Sequence, residues 1–178
     1  MQRGASGFTL IEVMVVMVII AILVTMVSLS LRGDRAGEAL EEEAKRLTAL
    51  LNLLREEAVM RDQTLGLALT GEEYVFVIRE LPDPAAPAEP PAFRPLSDDG
   101  VFRPRALPPG TRMVFETGPA VRPLPTPRAA LTPVLLALPQ DLLMPEGRLV
   151  LTHPATPRVA VVKLDARQVR WERGDGRP

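Results

Sequence analysis

Residues 8–31 read FTLIEVMVVMVIIAILVTMVSLSL, and from Phe8 to Leu31 every residue is apolar or small and uncharged except Glu12. At about 1.5 Å of rise per residue, a helix of this run reaches across the roughly 30 Å hydrocarbon core of a bilayer. A carboxylate in such a segment costs about 2–3 kcal/mol toward the bilayer centre and less near its edge, so Glu12 needs a partner. A secretory signal places its small-residue cleavage site after the apolar core. Here Gly4, Ala5, Ser6 and Gly7 come before it, and a cut at that point leaves the apolar segment on the mature chain as a retained anchor. Charge does not favour a cytoplasmic N-terminus, because Arg3 precedes the run while Arg32 and Arg35 follow it.

Helical periodicity continues beyond the apolar run. Leu40, Ala44, Leu47, Leu51, Leu54 and Ala58 recur at spacings of 4, 3, 4, 3 and 4, one stripe on a helix. Glu41, Glu42, Lys45, Arg46, Arg55, Glu56 and Arg61 take the other faces, and Glu41-Glu42-Glu43 reads as solvated. The stripe is a coiled-coil seam or a docking face. Strands follow at once, so docking is expected. Gly33 and Gly37 mark a bend or weak points, at about 1 kcal/mol each against Ala.

All 19 prolines lie beyond Leu81, which reserves long helices for the first part and short strands and loops for the second. TLGLALT (Thr64–Thr70) and YVFVIRE (Tyr74–Glu80) form a hairpin signal around Gly71-Glu72-Glu73. LPDPAAPAEPPAFRP (Leu81–Pro95) opens an extended, solvated loop over 81–97. Further strands are expected at Arg112–Glu116, Val134–Leu138, Leu149–Thr152, Val159–Leu164 and Gln168–Glu172, the last two joined at Asp165-Ala166-Arg167. That density of strands suggests a small antiparallel sandwich or rolled sheet.

The chemistry of the chain narrows its function by exclusion. Over 178 residues the net charge is -1, which gives no global field for nucleic acid or acidic lipid, and there is no cysteine for a disulfide, thiolate or Cys-based metal site. The single histidine, His153, sits in THPATP and reads as a surface turn. No GxSxG, HExxH, Walker or dinucleotide glycine pattern occurs, and Asp98-Asp99-Gly100 is a turn rather than a calcium loop. No catalytic constellation, cofactor or metal is implied. Arg167, Arg170, Arg173 and Arg177 gather around Trp171, a pattern able to hold phosphates and stack bases. Alternation of Arg170 and Trp171 across a strand, diluted by Asp165, Glu172 and Asp175, is the stronger reading.

At GFTLIEVMVVMVIIAIL the sequence closely resembles the signal of type IV pilins and pseudopilins. The resemblance implies a leader over 1–7, cleavage by the prepilin peptidase between Gly7 and Phe8, N-methylation of Phe8, and Glu12 as the fifth mature residue. It also implies a cytoplasmic leader and a periplasmic C-terminal domain, against the weak charge count. The long helix, prompt hairpin, LPPGTRMVFE and closing MPEGRLVL…RVAVVKLDARQVRWERG look like the GspH/FimT-type minor pseudopilins. The expected fold is α+β and pilin-like. A membrane-spanning helix (8–31) and an amphipathic helix (32–63) precede a β-sandwich domain (64–178), on which the amphipathic half packs.

Cleavage would give Phe8 a positive amino group. At about 4 Å and an effective dielectric near 20, opposite charges attract by roughly 4 kcal/mol. Glu12 meets its own amino group only awkwardly, one turn away, whereas a neighbouring subunit's can lie alongside it. A capping carboxylate near the helix start is the simpler role and can act as well. The expected partners are other pilins or pseudopilins through the helix, the prepilin peptidase, the inner-membrane assembly platform, the membrane, and a secreted substrate or DNA. The favoured function is a minor pseudopilin that initiates or tips a type II secretion pseudopilus. The alternatives are a type IV pilus minor pilin for priming and DNA uptake, and a membrane-anchored periplasmic enzyme or binding module.

Overall fold

The computed structural model describes residues 9–30, 34–70, 73–81, 92–96, 100–118, 120–122 and 131–174. Contacts divide the chain at Arg35–Ala36 into two units. The first contains α1, Leu10–Ser30. The second contains α2 from Ala36 onward and, among the described residues, eleven strands.

α2 spans Arg35–Arg61. Asp34 stands at its N-cap position, Glu38 lies in the first turn and Arg61 in the last, each charge complementing the helix dipole. Its C-terminus closes in a Schellman motif: Gln63 N–H donates to Ala58 O at 3.1 Å and Asp62 N–H to Val59 O at 3.2 Å. Asp62 takes the left-handed position usually given to glycine, with φ of 51°. Gly37 is buried within the first turns of α2; Gly33 lies outside the described residues.

The strands are β1 (Leu65–Thr70), β2 (Glu73–Arg79), β3 (Phe93–Pro95), β4 (Arg105–Ala106), β5 (Arg112–Thr117), β6 (Ala120–Arg122), β7 (Leu135–Leu138), β8 (Leu142–Met144), β9 (Gly147–Thr152), β10 (Val159–Asp165) and β11 (Gln168–Gly174). One sheet runs β3-β2-β1-β7-β8, with β4 also on β2; the other runs β11-β10-β9-β5-β6. Their pairings are antiparallel, as expected for the α+β class. β1, β2, β5, β7, β9, β10 and β11 fall where the sequence places strands. β3, β4, β6 and β8 were not expected, being two or three residues long, too short to show a period. β3 corrects the loop reading at its end: Phe93, Arg94 and Pro95 pair with Arg79, Ile78 and Val77. Residues 82–91 and 97–99, including Asp98 and Asp99, lie outside the described residues.

One core joins α2 to both sheets. Leu40, Ala44, Leu47, Leu51, Leu54 and Ala58 are all buried, so the stripe is a docking face rather than an exposed seam. Against them lie Leu65, Leu67 and Leu69 of β1, Tyr74, Phe76 and Ile78 of β2, Met113 and Phe115 of β5, and Ala160, Val162 and Leu164 of β10. Each fully buried leucine contributes about 1.5–3 kcal/mol relative to exposure. β2 is buried on both faces. Val75 and Val77 join Ala68 in a second cluster under the partly buried Phe93 and Leu131, which explains why YVFVI is apolar without alternation.

Close approach constrains glycines at two of the sequence's turn phrases. Gly110 follows Pro108-Pro109 in a turn closed by Thr111 N–H to Pro108 O at 2.9 Å. Its φ is +79°, and a Cβ there would meet His153 Nε2 at 2.5 Å, as a type II turn under an imidazole demands. A Cβ on Gly147 would stand 2.3 Å from Glu116 O. The LPPG and MPEG phrases are thus two places where backbone or ring comes too near for a side chain. His153 holds its own turn, with Nε2 at 3.1 Å from Pro109 O and Nδ1 accepting from Ala155 N–H at 3.0 Å.

Candidate assembly site

α1 is an apolar surface that nothing among the described residues of its own unit covers. Leu10, Ile11, Val13, Met14, Met17, Ile20 and Leu23 are among its exposed side chains, and exposure extends round the helix. Thr9 caps it: Glu12 N–H lies 3.0 Å from Thr9 O and 3.4 Å from Thr9 Oγ1. Thr9-Leu10-Ile11-Glu12 is therefore a T-x-x-E start, with Glu12 three residues past the cap. Glu12 is exposed, and among the described residues its carboxylate has no hydrogen-bond or ion-pair partner. Gly7 and Phe8 lie outside the described residues.

Among the described residues no helix is long and apolar enough to cross a membrane. The side chains described in α1 run from Leu10 to Thr25, which at about 1.5 Å each gives roughly 24 Å of described apolar surface. The expected span over 8–31 draws its ends from residues outside that stretch.

α2 is seated by polar contacts on both sides of its leucine stripe, and here the sequence reading of Glu41-Glu42-Glu43 as a solvated face is corrected. Glu43 is 2% exposed; it accepts from Tyr74 Oη at 2.7 Å and from Arg46 Nη1 at 2.7 Å. Glu43 stands three residues after Leu40 and four before Leu47, a spacing that belongs to the apolar face and could have revealed it. Burial, then the Glu43 hydrogen bond, pushes the Tyr74 phenol well above its ordinary range. Glu41 takes Arg173 through two bonds, Nε to Oε1 at 2.8 Å and Nη2 to Oε2 at 2.9 Å, with Arg158 at 3.5 Å. Those hydrogen bonds hold the Glu41 carboxyl below the usual carboxylate range and raise Arg173. Only Glu42 is exposed, beside Arg46 at 3.0 Å.

These contacts show α2 running along β11, the last strand of its sheet. Glu41 meets Arg173, Lys45 Nζ sits 4.8 Å from the Trp171 ring centroid, Asn52 Nδ2 donates to Val169 O at 3.3 Å, and Arg55 Nη1 donates to Arg167 O. From Glu41 to Arg55 the helix advances about 21 Å and from Arg167 to Arg173 the strand advances about 20 Å. Helix and strand keep step. Of the arginine group, Arg173 turns to α2, Arg170 pairs with Asp165 at 3.2 Å, Arg167 contributes its carbonyl, and Arg177 lies outside the described residues.

Residues 2–28 match the prokaryotic N-terminal methylation motif. The chain is 43% identical over 72 residues to type II secretion system protein H of Pseudomonas aeruginosa, covering 40% of this chain and 42% of that protein. It is 35% identical over 78 residues to the protein of the same name from Aeromonas hydrophila, covering 44% and 43%. The match thus spans less than half the length of either relative. In fold it is similar to the minor pseudopilin EpsH from the type 2 secretion system of Vibrio cholerae, with a TM-score of 0.56 at 17% identity over 75% of this chain and 96% of that one. It is likewise similar to GspH of E. coli, with a TM-score of 0.59 at 18% identity over 83% and 97%. The chain thus carries the prokaryotic N-terminal methylation motif and shares the α+β, pilin-like fold of the EpsH and GspH structures.

Proposed function

We propose that this chain is a minor pseudopilin of a type II secretion system, a structural subunit that initiates or tips the pseudopilus. The observation that carries the proposal is α1: an uncovered apolar helix whose one charge, Glu12, stands three residues past the cap without a partner of its own. Prepilin peptidase cuts between Gly7 and Phe8, the mature chain is held in the inner membrane by this helix, and the β-domain lies in the periplasm. In the filament Glu12 pairs with the amino group of Phe8 on an adjacent subunit, while the apolar faces pack on neighbouring helices. The assembly platform and other pseudopilins are the partners of that step.

Glu12→Leu tests it in cells expressing the full secretion machinery. The mature N-terminus, read by mass spectrometry, should still begin at a methylated Phe8, while recovery of the variant in sheared filaments should fall severalfold. Wild-type incorporation of Glu12→Leu would sink the pairing account. A mature chain that still begins at Met1 would sink the pseudopilin assignment itself.

A further inference from the structure

α2 is held down unevenly along its length. From Ala44 to Arg61 it buries Ala44, Leu47, Leu50, Leu51, Leu54 and Ala58. From Ala36 to Glu43 its one buried apolar side chain is Leu40, between the bare backbone of Gly37 and the polar Glu43. Apolar stabilisation follows buried area, so the first part rests on one leucine and the second on four. The first part is also the weaker helix. Gly37 lowers its propensity more than any residue short of proline. Glu38 faces Glu41 and Glu42 three and four residues on, spacings at which like charges repel.

Polar contacts make up the difference. Arg173 and Arg158 lie against Glu41, and Tyr74 donates to Glu43. When this part of the helix lifts away, water can take both carboxylates and the Tyr74 hydroxyl, so opening leaves no buried polar group unpaired.

We propose that α2 opens in two parts. Ala36–Glu43 lifts as a unit while Ala44–Arg61 stays docked, and Glu41 and Glu43 are the latches that hold it down. Units that open below the cost of global unfolding are drawn from segments with few buried apolar contacts. The use of this device rests on the functional reading above. Eight residues span about 12 Å as helix and up to roughly 28 Å extended. Opening therefore lengthens the free chain between the anchor and the docked part of α2 by about 16 Å.

Hydrogen exchange, resolved by residue in the full chain held in detergent, tests this at the amides of Ala39–Glu43 and of Leu50–Leu54. In the wild type the first group should exchange faster, at rates that low urea does not change. The second group should accelerate with urea, because only global unfolding frees it. One shared rate and one urea dependence overturn the proposal. Leu51→Ala weakens the docked part alone. It should speed the second group roughly thirtyfold or more and leave the first where it is; both groups moving together overturns the proposal. If Leu51→Ala fails to fold, the wild-type urea dependence decides. Arg173→Ala and Tyr74→Phe each remove a latch from the closed state and should speed both groups severalfold; a first group that neither variant moves overturns the latch assignment. The opening is read within one chain, so two-part exchange in a chain whose mature form still begins at Met1 would sink the functional reading alone.

Discussion

Arg173 and Glu41 are 132 residues apart in the chain and are joined by two parallel hydrogen bonds of 2.8 and 2.9 Å. This is the bidentate geometry that lysine cannot copy. The contact ties the last strand to the second helix.

The pair should be visible in the acid limb of stability. The native carboxyl of Glu41 lies below its unfolded value, near 4.3 for a free glutamate. Its contribution is therefore complete above that value and is lost as pH falls through it toward the native one. Urea midpoints measured from pH 7 to pH 3 should decline more steeply for wild type than for Arg173→Ala. Parallel curves would show that the ion pair adds nothing. The exposed setting also predicts that 1 M salt narrows the difference.

Tyr74 is the single tyrosine, so absorbance near 295 nm reports it alone. Its native pKa is raised, so the folded state keeps the proton after the unfolded phenol, near 10, has lost it. The stability this gives is complete below pH 10 and is lost as pH rises through 10 toward the native value. Phenolate absorbance in the folded protein should therefore appear only well above pH 10, or together with unfolding. Ionisation at pH 10 with the fold intact would contradict the buried Glu43 contact.

Tyr74→Phe removes one donor from a buried carboxylate and should cost about 1–3 kcal/mol in urea unfolding. Adding Glu43→Leu removes the acceptor as well and should return part of that loss, since an apolar pair of similar volume is often neutral. Additive losses in the double variant would argue against coupling.

Leu51→Ala opens a cavity where α2 meets the sheets and should cost about 2–5 kcal/mol. Leu53→Ala, one helical face away and partly exposed, should change stability by less than about 1 kcal/mol. Thermal melts of the two variants give the contrast directly.

Gly147→Ala should destabilise more than Gly110→Ala paired with His153→Ala. The obstacle at Gly147 is the backbone oxygen of Glu116, which cannot swing aside. At Gly110 the ring is removable, leaving only the positive φ, a penalty of about 1–2 kcal/mol.

Much of this was legible in the residues. The docking stripe from Leu40 to Ala58 was readable because helical period and burial coincide at all six positions. The closing hairpin was readable because Asp165-Ala166-Arg167 interrupts two runs of alternation, and Asp165 pairs with Gln168. Strand order was not readable, since β1 lies beside β7 across more than sixty residues, and β9 bridges β5 and β10. Such pairings depend on which faces meet, which no local pattern carries. Glu43 escaped because a charge beside two others looks like surface, and only the buried hydroxyl of Tyr74 makes its place intelligible. The N-terminal motif lay in plain view; α1 adds to it the cap at Thr9 and the uncovered faces around Glu12.

α2 lies along the outer side of β11, where Asn52 takes the Val169 carbonyl and Arg55 that of Arg167. A terminal strand seven residues long is otherwise a template for adding the same strand from another copy. With the helix in place that template is guarded. A second copy's strand would have to displace the Asn52 and Arg55 side chains before it could pair along this end of β11.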